Sequence, residues 1–244
     1  MEKLMLFISQ SKALLATAIV AGVVASPFAS AEEQEARYAT SLTLGSTGIG
    51  LEFSSKTDLS FTDNDHVQWR IGISGADVDF DRGDDVEIAG IDYDGNIEWG
   101  EARAGLDWFP SDSGWSRKVF ISSGLMYSNV EFDAKADGTK GFAVGGTQVN
   151  PGDITSFRSE IDNQQVMPYI SVGWGNKITG ERGFDFQAEV GLRVPTRDAD
   201  VKVSAVDPDN LLSVAALADE KRDIENDVNS DLDGFANIAV SYHF

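Results

Sequence analysis

The feature that most constrains this chain is a two-residue period of hydrophobicity that recurs from about residue 48 to the C-terminus. In Gly183–Val194, Phe184, Phe186, Ala188, Val190, Leu192 and Val194 share one face; Asp185, Gln187, Glu189, Gly191 and Arg193 share the other. At the C-terminus Ala236, Ile238, Val240, Tyr242 and Phe244 alternate with Phe235, Asn237, Ala239, Ser241 and His243. The same pattern runs through Ile49, Leu51, Phe53; Val67, Trp69, Ile71, Ile73; and Ala102, Ala104, Leu106, Trp108. It returns in Val119, Ile121, Leu125, Tyr127 and in Val166, Pro168, Ile170, Val172, Trp174. A period of two places successive side chains on opposite faces, so these are seven β-strands.

The apolar face could look inward, as in a soluble sandwich or lipocalin, or outward into lipid. Three features favour lipid. The N-terminus reads as a secretory leader over residues 1–31: Lys3 and Lys12, an apolar run Ala13–Val24, then Pro27 and the small-x-small site Ala29-Ser30-Ala31. That run is too short for a comfortable membrane anchor, which takes about 20 apolar residues. Second, Tyr242 and Phe244 close a terminal strand in register, the kind that barrel-assembly machinery reads. Third, Phe53, Trp69, Trp108, Phe109, Trp174, Phe184, Phe186, Tyr242 and Phe244 fall at strand ends on one side, forming an aromatic girdle. Residues 32–244 are thus expected to form one bacterial outer-membrane barrel.

Lys56–Asp65, Pro110–Arg117 and Asn176–Arg182 read as short polar periplasmic turns. Asp79–Asp94, Asp133–Asp162 and Ala205–Asp233 read as long acidic extracellular loops. With both termini periplasmic the strand number must be even, and Tyr38–Leu44 supplies the eighth strand. The parity of apolar positions changes between Leu44 and Ile49, which requires a tight turn or a bulge at Gly45–Gly48. The expectation is an all-β, antiparallel up-and-down barrel of eight strands with one short loop helix.

The motifs Gly45-Ser-Thr-Gly-Ile-Gly-Leu-Glu52, Ile91-Asp-Tyr-Asp-Gly95 and Gly105-Leu-Asp-Trp-Phe-Pro110 occur in that order. They are followed by Gly124-Leu-Met-Tyr127, Pro168-Tyr-Ile-Ser-Val-Gly-Trp-Gly175 and Tyr242-His-Phe244. In these the chain resembles a largely uncharacterised family of small proteobacterial outer-membrane β-barrel proteins. The resemblance spans most of residues 38–244 outside the loops. It implies the fold and the location, and it brings no activity with it.

Composition narrows the chemistry. With no cysteine there is no disulfide, Cys-ligated metal, thiol nucleophile or lipid-bearing Cys. A net charge of −21 argues against nucleic-acid binding, which needs excess Lys and Arg. The two histidines, His66 at a periplasmic turn and His243 in the last strand, are far from the extracellular mouth, so no catalytic set is expected. No cofactor or metal site is assigned. Glu52, Arg70, Glu101, Arg103, Asp107, Asp185, Glu189 and Arg193 are expected in the lumen, five acids and three arginines able to pair as a plug. A gated path for protons or small cations is the sharper alternative for them.

The loops offer weaker signals. Asp77, Asp79, Asp81, Asp84, Asp85, Glu87, Asp92 and Asp94 crowd around one Arg82, a candidate surface for Ca²⁺ or Mg²⁺ and otherwise a solvated acidic loop. Arg82-Gly83-Asp84 is an integrin-type tripeptide that three residues match by chance. Asn229-x-Asp231-x-Asp233-Gly234 resembles the start of an EF-hand loop, but the twelfth position is Val240, which rejects it. A helix over Asn210–Asn229, opened by Asp207-Pro208, carries an apolar stripe of Leu211, Val214, Leu217, Ile224 and Val228 that packs on the loops or meets a partner. The functional expectation is a non-enzymatic integral outer-membrane protein with a structural or surface-interaction role. Its surroundings are lipid and lipopolysaccharide. A narrow channel or transporter for small solutes is the alternative, and a lipid-acting barrel enzyme a more distant one.

Overall fold

The alternating segments pair into one antiparallel sheet that closes on itself. The computed structural model describes residues 35–62, 65–80, 86–88, 91–137, 141–209, 211–229 and 232–244. The expected leader, residues 1–31, and the tripeptide at 82–84 lie outside them. The elements in chain order are β1 (Tyr38–Gly45), β2 (Gly48–Lys56), β3 (His66–Phe80), β4 (Val86–Ile88), β5 (Ile91–Phe109), β6 (Val119–Asp137), β7 (Phe142–Val144), β8 (Thr147–Val149), β9 (Ser156–Gly175), β10 (Gly183–Arg193), β11 (Asp200–Val206), helix α1 (Val214–Val228) and β12 (Asp233–His243). The barrel consists of β1, β2, β3, β5, β6, β9, β10 and β12, the eight strands expected. The ring closes where β1 pairs β12, from Ala39↔His243 to Gly45↔Asn237.

The parity break after Leu44 is a turn and not a bulge. Gly45 pairs Gly48 across Ser46-Thr47, and Gly48 takes φ +87°, a left-handed conformation natural to glycine. A Cβ on Gly48 would also lie 2.3 Å from the Gly75 carbonyl oxygen, so the hairpin admits no larger residue there.

The wall is inside-out relative to a soluble protein. Ile73 and Val190 are 64% and 57% exposed on the outer face, while Ser54 and Ser122 are fully buried inside. Among the described residues no helix is long and apolar enough to cross a membrane. The outward face supplies the apolar band instead. At the short-turn end the rings of Phe53 and Trp69 lie 5.4 Å apart, Tyr38 and Phe53 5.7 Å, Tyr38 and Phe244 6.0 Å, and Phe184 and Tyr242 5.1 Å. Tyr38 therefore joins the girdle. Phe109 does not belong to it: the residue is buried inside. Its neighbour Trp108 takes the outward position, so Phe109 must face the lumen.

Of the expected long loops, Asp79–Asp94 and Asp133–Asp162 are in good part strand among the described residues, and Ala205–Asp233 carries the helix. β5, β6 and β9 run for 19, 19 and 20 residues, about twice the 9–11 that cross a bilayer. β6 and β9 stay paired out to Asp137↔Ser156, and β11 takes over from β10 as the neighbour of β9 above the rim. A tall half-wall thus rises over the long-loop end. Its inner face continues the lumen-facing positions but turns apolar: Phe132, Ala134 and Ala136 from β6, Phe157 and Ile161 from β9, and Val201 from β11 are buried together. Phe142, Val144 and Val149 of the β7–β8 hairpin and Ile224 of α1 complete this small core.

The helix is shorter than Asn210–Asn229. Ser213, not Asp207, is its N-cap, accepting a hydrogen bond from the Ala216 N–H. Asp207 instead accepts from the Leu212 N–H at 2.6 Å, fixing the turn ahead of the helix. Ala216, Glu220 and Ile224 are its buried side, with Leu217 and Val228 beside them, whereas Val214 is exposed. Leu217, Ile224 and Val228 of the stripe pack on the protein's own cap, and Leu211 and Val214 do not.

Candidate functional site: the barrel lumen

Period two on eight strands sends one set of polar side chains to a common axis, where water is scarce and each charge needs a partner. All eight predicted lumen residues lie inside. Arg70, fully buried, is the hub. Its Nη1 and Nη2 donate to the two carboxylate oxygens of Glu189, each at 2.9 Å. Nη2 also donates to Asp107 at 2.9 Å and Nη1 to Glu52 at 3.4 Å. Arg103 reaches Glu189 at 3.1 Å and pairs with Glu52. Ser171 donates to Glu189 at 2.6 Å. The bidentate fork to Glu189 is the geometry that guanidinium and carboxylate share. Residues from β2, β3, β5, β9 and β10 are thereby tied across the barrel.

Arg193 forms a second cluster toward the long loops. It pairs with Glu101, and its Nε donates to Asp233 at 2.6 Å. A pocket of about 10 Å³ lies between the two clusters, lined by Thr43, Thr47, Glu52, Ser74, Glu101 and Arg103. That is room for about one water molecule. Asp185 sits at the opposite rim, paired with Lys118 at 2.6 Å.

Sequence reasoning missed the aromatic and backbone parts of the interior. Phe120 lies beneath Arg70, whose guanidinium carbon is 5.3 Å from the ring centroid, and Phe109 packs on Phe120 at 5.5 Å. Phe235 packs on Tyr169 at 6.0 Å. Each ring needs a glycine: a Cβ on Gly173 would lie 2.3 Å from Phe120, and one on Gly191 2.4 Å from Phe235. Strand parity carried this signal, because Phe120 and Phe235 alternate with outward apolar residues.

The turn from Asn176, expected to be an ordinary polar connection, folds up into the barrel. Asn176, Lys177 and Ile178 are all buried. Asn176 is the one non-glycine at positive φ among the described residues, at 52°. The Asn176 carbonyl accepts from Gln68 at 3.0 Å, and its side-chain oxygen meets His243 Nε2 at 3.0 Å. Lys177 reaches Asp112 at 2.5 Å and the Ser111 carbonyl at 3.1 Å. His66, at the start of β3, is edge-on to Phe109 at 5.7 Å. Both histidines serve this floor. Among the described residues no cluster of three His, Asp or Glu is placed to hold a metal. The acidic side chains of residues 79–94 lie outside the described ones; Asp77, just before them, accepts from Asn96 at 2.7 Å.

No family model matches the chain, and no curated protein does. Among solved structures it is similar to Acinetobacter baumannii CarO, with TM-score 0.54 and 19% identity, covering 86% of this chain and 98% of that one. It is also similar to Acinetobacter baumannii CarO2, with TM-score 0.57 and 19% identity, covering 86% and 100%. A major outer membrane protein from Thermus thermophilus aligns at TM-score 0.41 and 14% identity, covering 86% and 99%. The first two likenesses are of fold: this chain has the fold of a small outer-membrane β-barrel.

Proposed function

We propose that this chain is a non-enzymatic integral protein of the bacterial outer membrane whose lumen is a structural plug, and whose role lies in structure or surface interaction. The observation that carries the reading is the layered interior. The floor of Asn176–Ile178, the Arg70 hub and the apolar cap succeed one another along the axis, and the pocket beside the hub has a volume of about 10 Å³, room for about one water. The leader at 1–31 would deliver the chain to the periplasm, and the strand ending in Phe244 would engage the assembly machinery. The structural employment of His66 and His243 supports the absence of catalysis.

Planar-bilayer recording with purified protein tests the plug. The expected result is no steady conductance. A reproducible open state would replace this reading with that of a narrow solute channel.

A further inference from the structure

Resting on the membrane-barrel reading, we propose that residues 57–62 with Asp65, and Trp115–Lys118 of the next turn, are a lipid-seated collar: they lie against the outside of the wall at its short-turn end and insert into the headgroup–acyl boundary of a phospholipid bilayer. Sequence polarity suggested ordinary periplasmic turns. The geometry differs. Asp65 accepts, through one carboxylate oxygen, from the Phe61 N–H at 2.8 Å, the Thr62 N–H at 3.0 Å and the Trp108 indole N–H at 2.8 Å. The first turn is thus clasped to a residue of the lipid-facing wall. Phe61 lies edge-on to Trp108, with centroids 6.1 Å apart, and is 68% exposed.

The second turn repeats the device with other atoms. The Trp115 carbonyl accepts from the Trp174 indole N–H at 3.4 Å, and the Trp115 ring is 79% exposed. Lys118 lies 5.2 Å over the Trp174 ring and pairs with Asp185. An indole facing hydrocarbon must find an acceptor for its N–H. Here both acceptors come from a turn. A carboxylate and an ammonium do not enter hydrocarbon, so Asp65 and Lys118 mark the level of the headgroups. Phe61 stands beside Trp108 at that level, with most of its ring left exposed. A bilayer is the partner of fitting chemistry, because this surface continues the Tyr38–Phe53–Trp69 belt.

Because the chain lacks cysteine, single-Cys variants can be labelled cleanly. Phe61→Cys, Trp115→Cys, Ser113→Cys and Val190→Cys would each carry an environment-sensitive nitrobenzoxadiazole dye in phosphatidylcholine vesicles. The vesicles would contain lipid bearing a doxyl quencher either near the headgroup or deep in the chain. Phe61 and Trp115 should be quenched several-fold more by the shallow lipid than Ser113, and Val190 by the deep one. Adding Asp65→Ala should abolish quenching at Phe61 and leave Val190 unchanged. If Phe61 and Trp115 match Ser113 while Val190 is quenched, the collar is wrong and the barrel reading stands. If Val190 also escapes quenching, the barrel reading fails and takes the collar with it. Undiminished quenching at Phe61 in the Asp65→Ala background would overturn the clasp.

Discussion

Arg70 shows how much one side chain can be asked to hold. It is fully buried among Glu52, Asp107 and Glu189, so removing one partner strands charge in a dry interior. Glu189→Ala should destabilise the barrel by about 3–5 kcal/mol in urea unfolding from detergent. Combined Arg70→Met, Glu189→Leu and Asp107→Asn should cost much less, because Glu52 keeps Arg103 and no buried charge is then orphaned. Gly173→Ala should cost about 1–3 kcal/mol by overpacking Phe120 and pressing on the Ala188 carbonyl oxygen, so Phe120→Leu in the same chain should recover only part of it. The charged half of this interior was legible in the sequence: Glu52, Arg70, Glu101, Arg103, Asp107, Asp185, Glu189 and Arg193 all follow from strand parity. The pairing was not, since which strands face each other across a lumen depends on closure. Phe109 was misread because an aromatic at a strand end invites assignment to the girdle, although its neighbour Trp108 already held the outward position.

At the scale of elements, a polar contact within an apolar cap ties α1 to the β7–β8 hairpin. Glu220 accepts from the Gly145 N–H at 2.8 Å. Burial pushes its carboxyl above the ordinary range, the Gly145 hydrogen bond pulls it back in part, and the Asp223 charge adds to the rise. An acid raised on folding favours the protonated form, so its stabilisation is full below the unfolded carboxylate pKa and is lost as pH climbs through the raised value. Amide exchange in α1, corrected for intrinsic rates, should therefore be slower under mildly acidic conditions than at neutral pH, and Glu220→Gln should flatten that dependence. Ser213→Ala should weaken the same helix by about 1 kcal/mol, read by the same exchange. The helix was foreseeable from its apolar stripe, but its start was not: Asp-Pro and Ser are both good openers, and packing against β11 and the hairpin chose between them. The strand extensions were hidden because β6 and β9 above the rim alternate Asp, Glu and Arg outward, which reads as loop until a partner strand is known.

Over the whole molecule, the faces of the wall decide what it is stable in. Val190→Arg should cost about 2–4 kcal/mol for a lipid-facing position near the midplane. The check is unfolding in vesicles, where a negligible cost would mean that this face does not meet lipid. Deleting Phe244 should reduce heat-modifiable, membrane-embedded protein in cell fractions. Closure, direction and strand number became readable once the two-residue period, which fixes which face every residue takes, was joined to the leader-like N-terminus, the aromatic strand ends and the even number that two periplasmic termini demand. The unequal height of the wall was not, since it belongs to pairing rather than to pattern.

The seam between β1 and β12 has a kinetic consequence. It joins Ala39 to His243 and buries the hydrogen bond between the Ser41 and Ser241 hydroxyls, so the ring's last ladder spans nearly all of the described sequence. Most other neighbouring pairs in the ring are hairpins that can zip locally, and β12 reaches β10 across β11 and α1, but this one waits for both ends of the sheet. Until then the molecule is an open ribbon with two unsatisfied edges, each a template for a neighbour's strand. Its most dangerous moment is therefore the interval before the first and last strands meet.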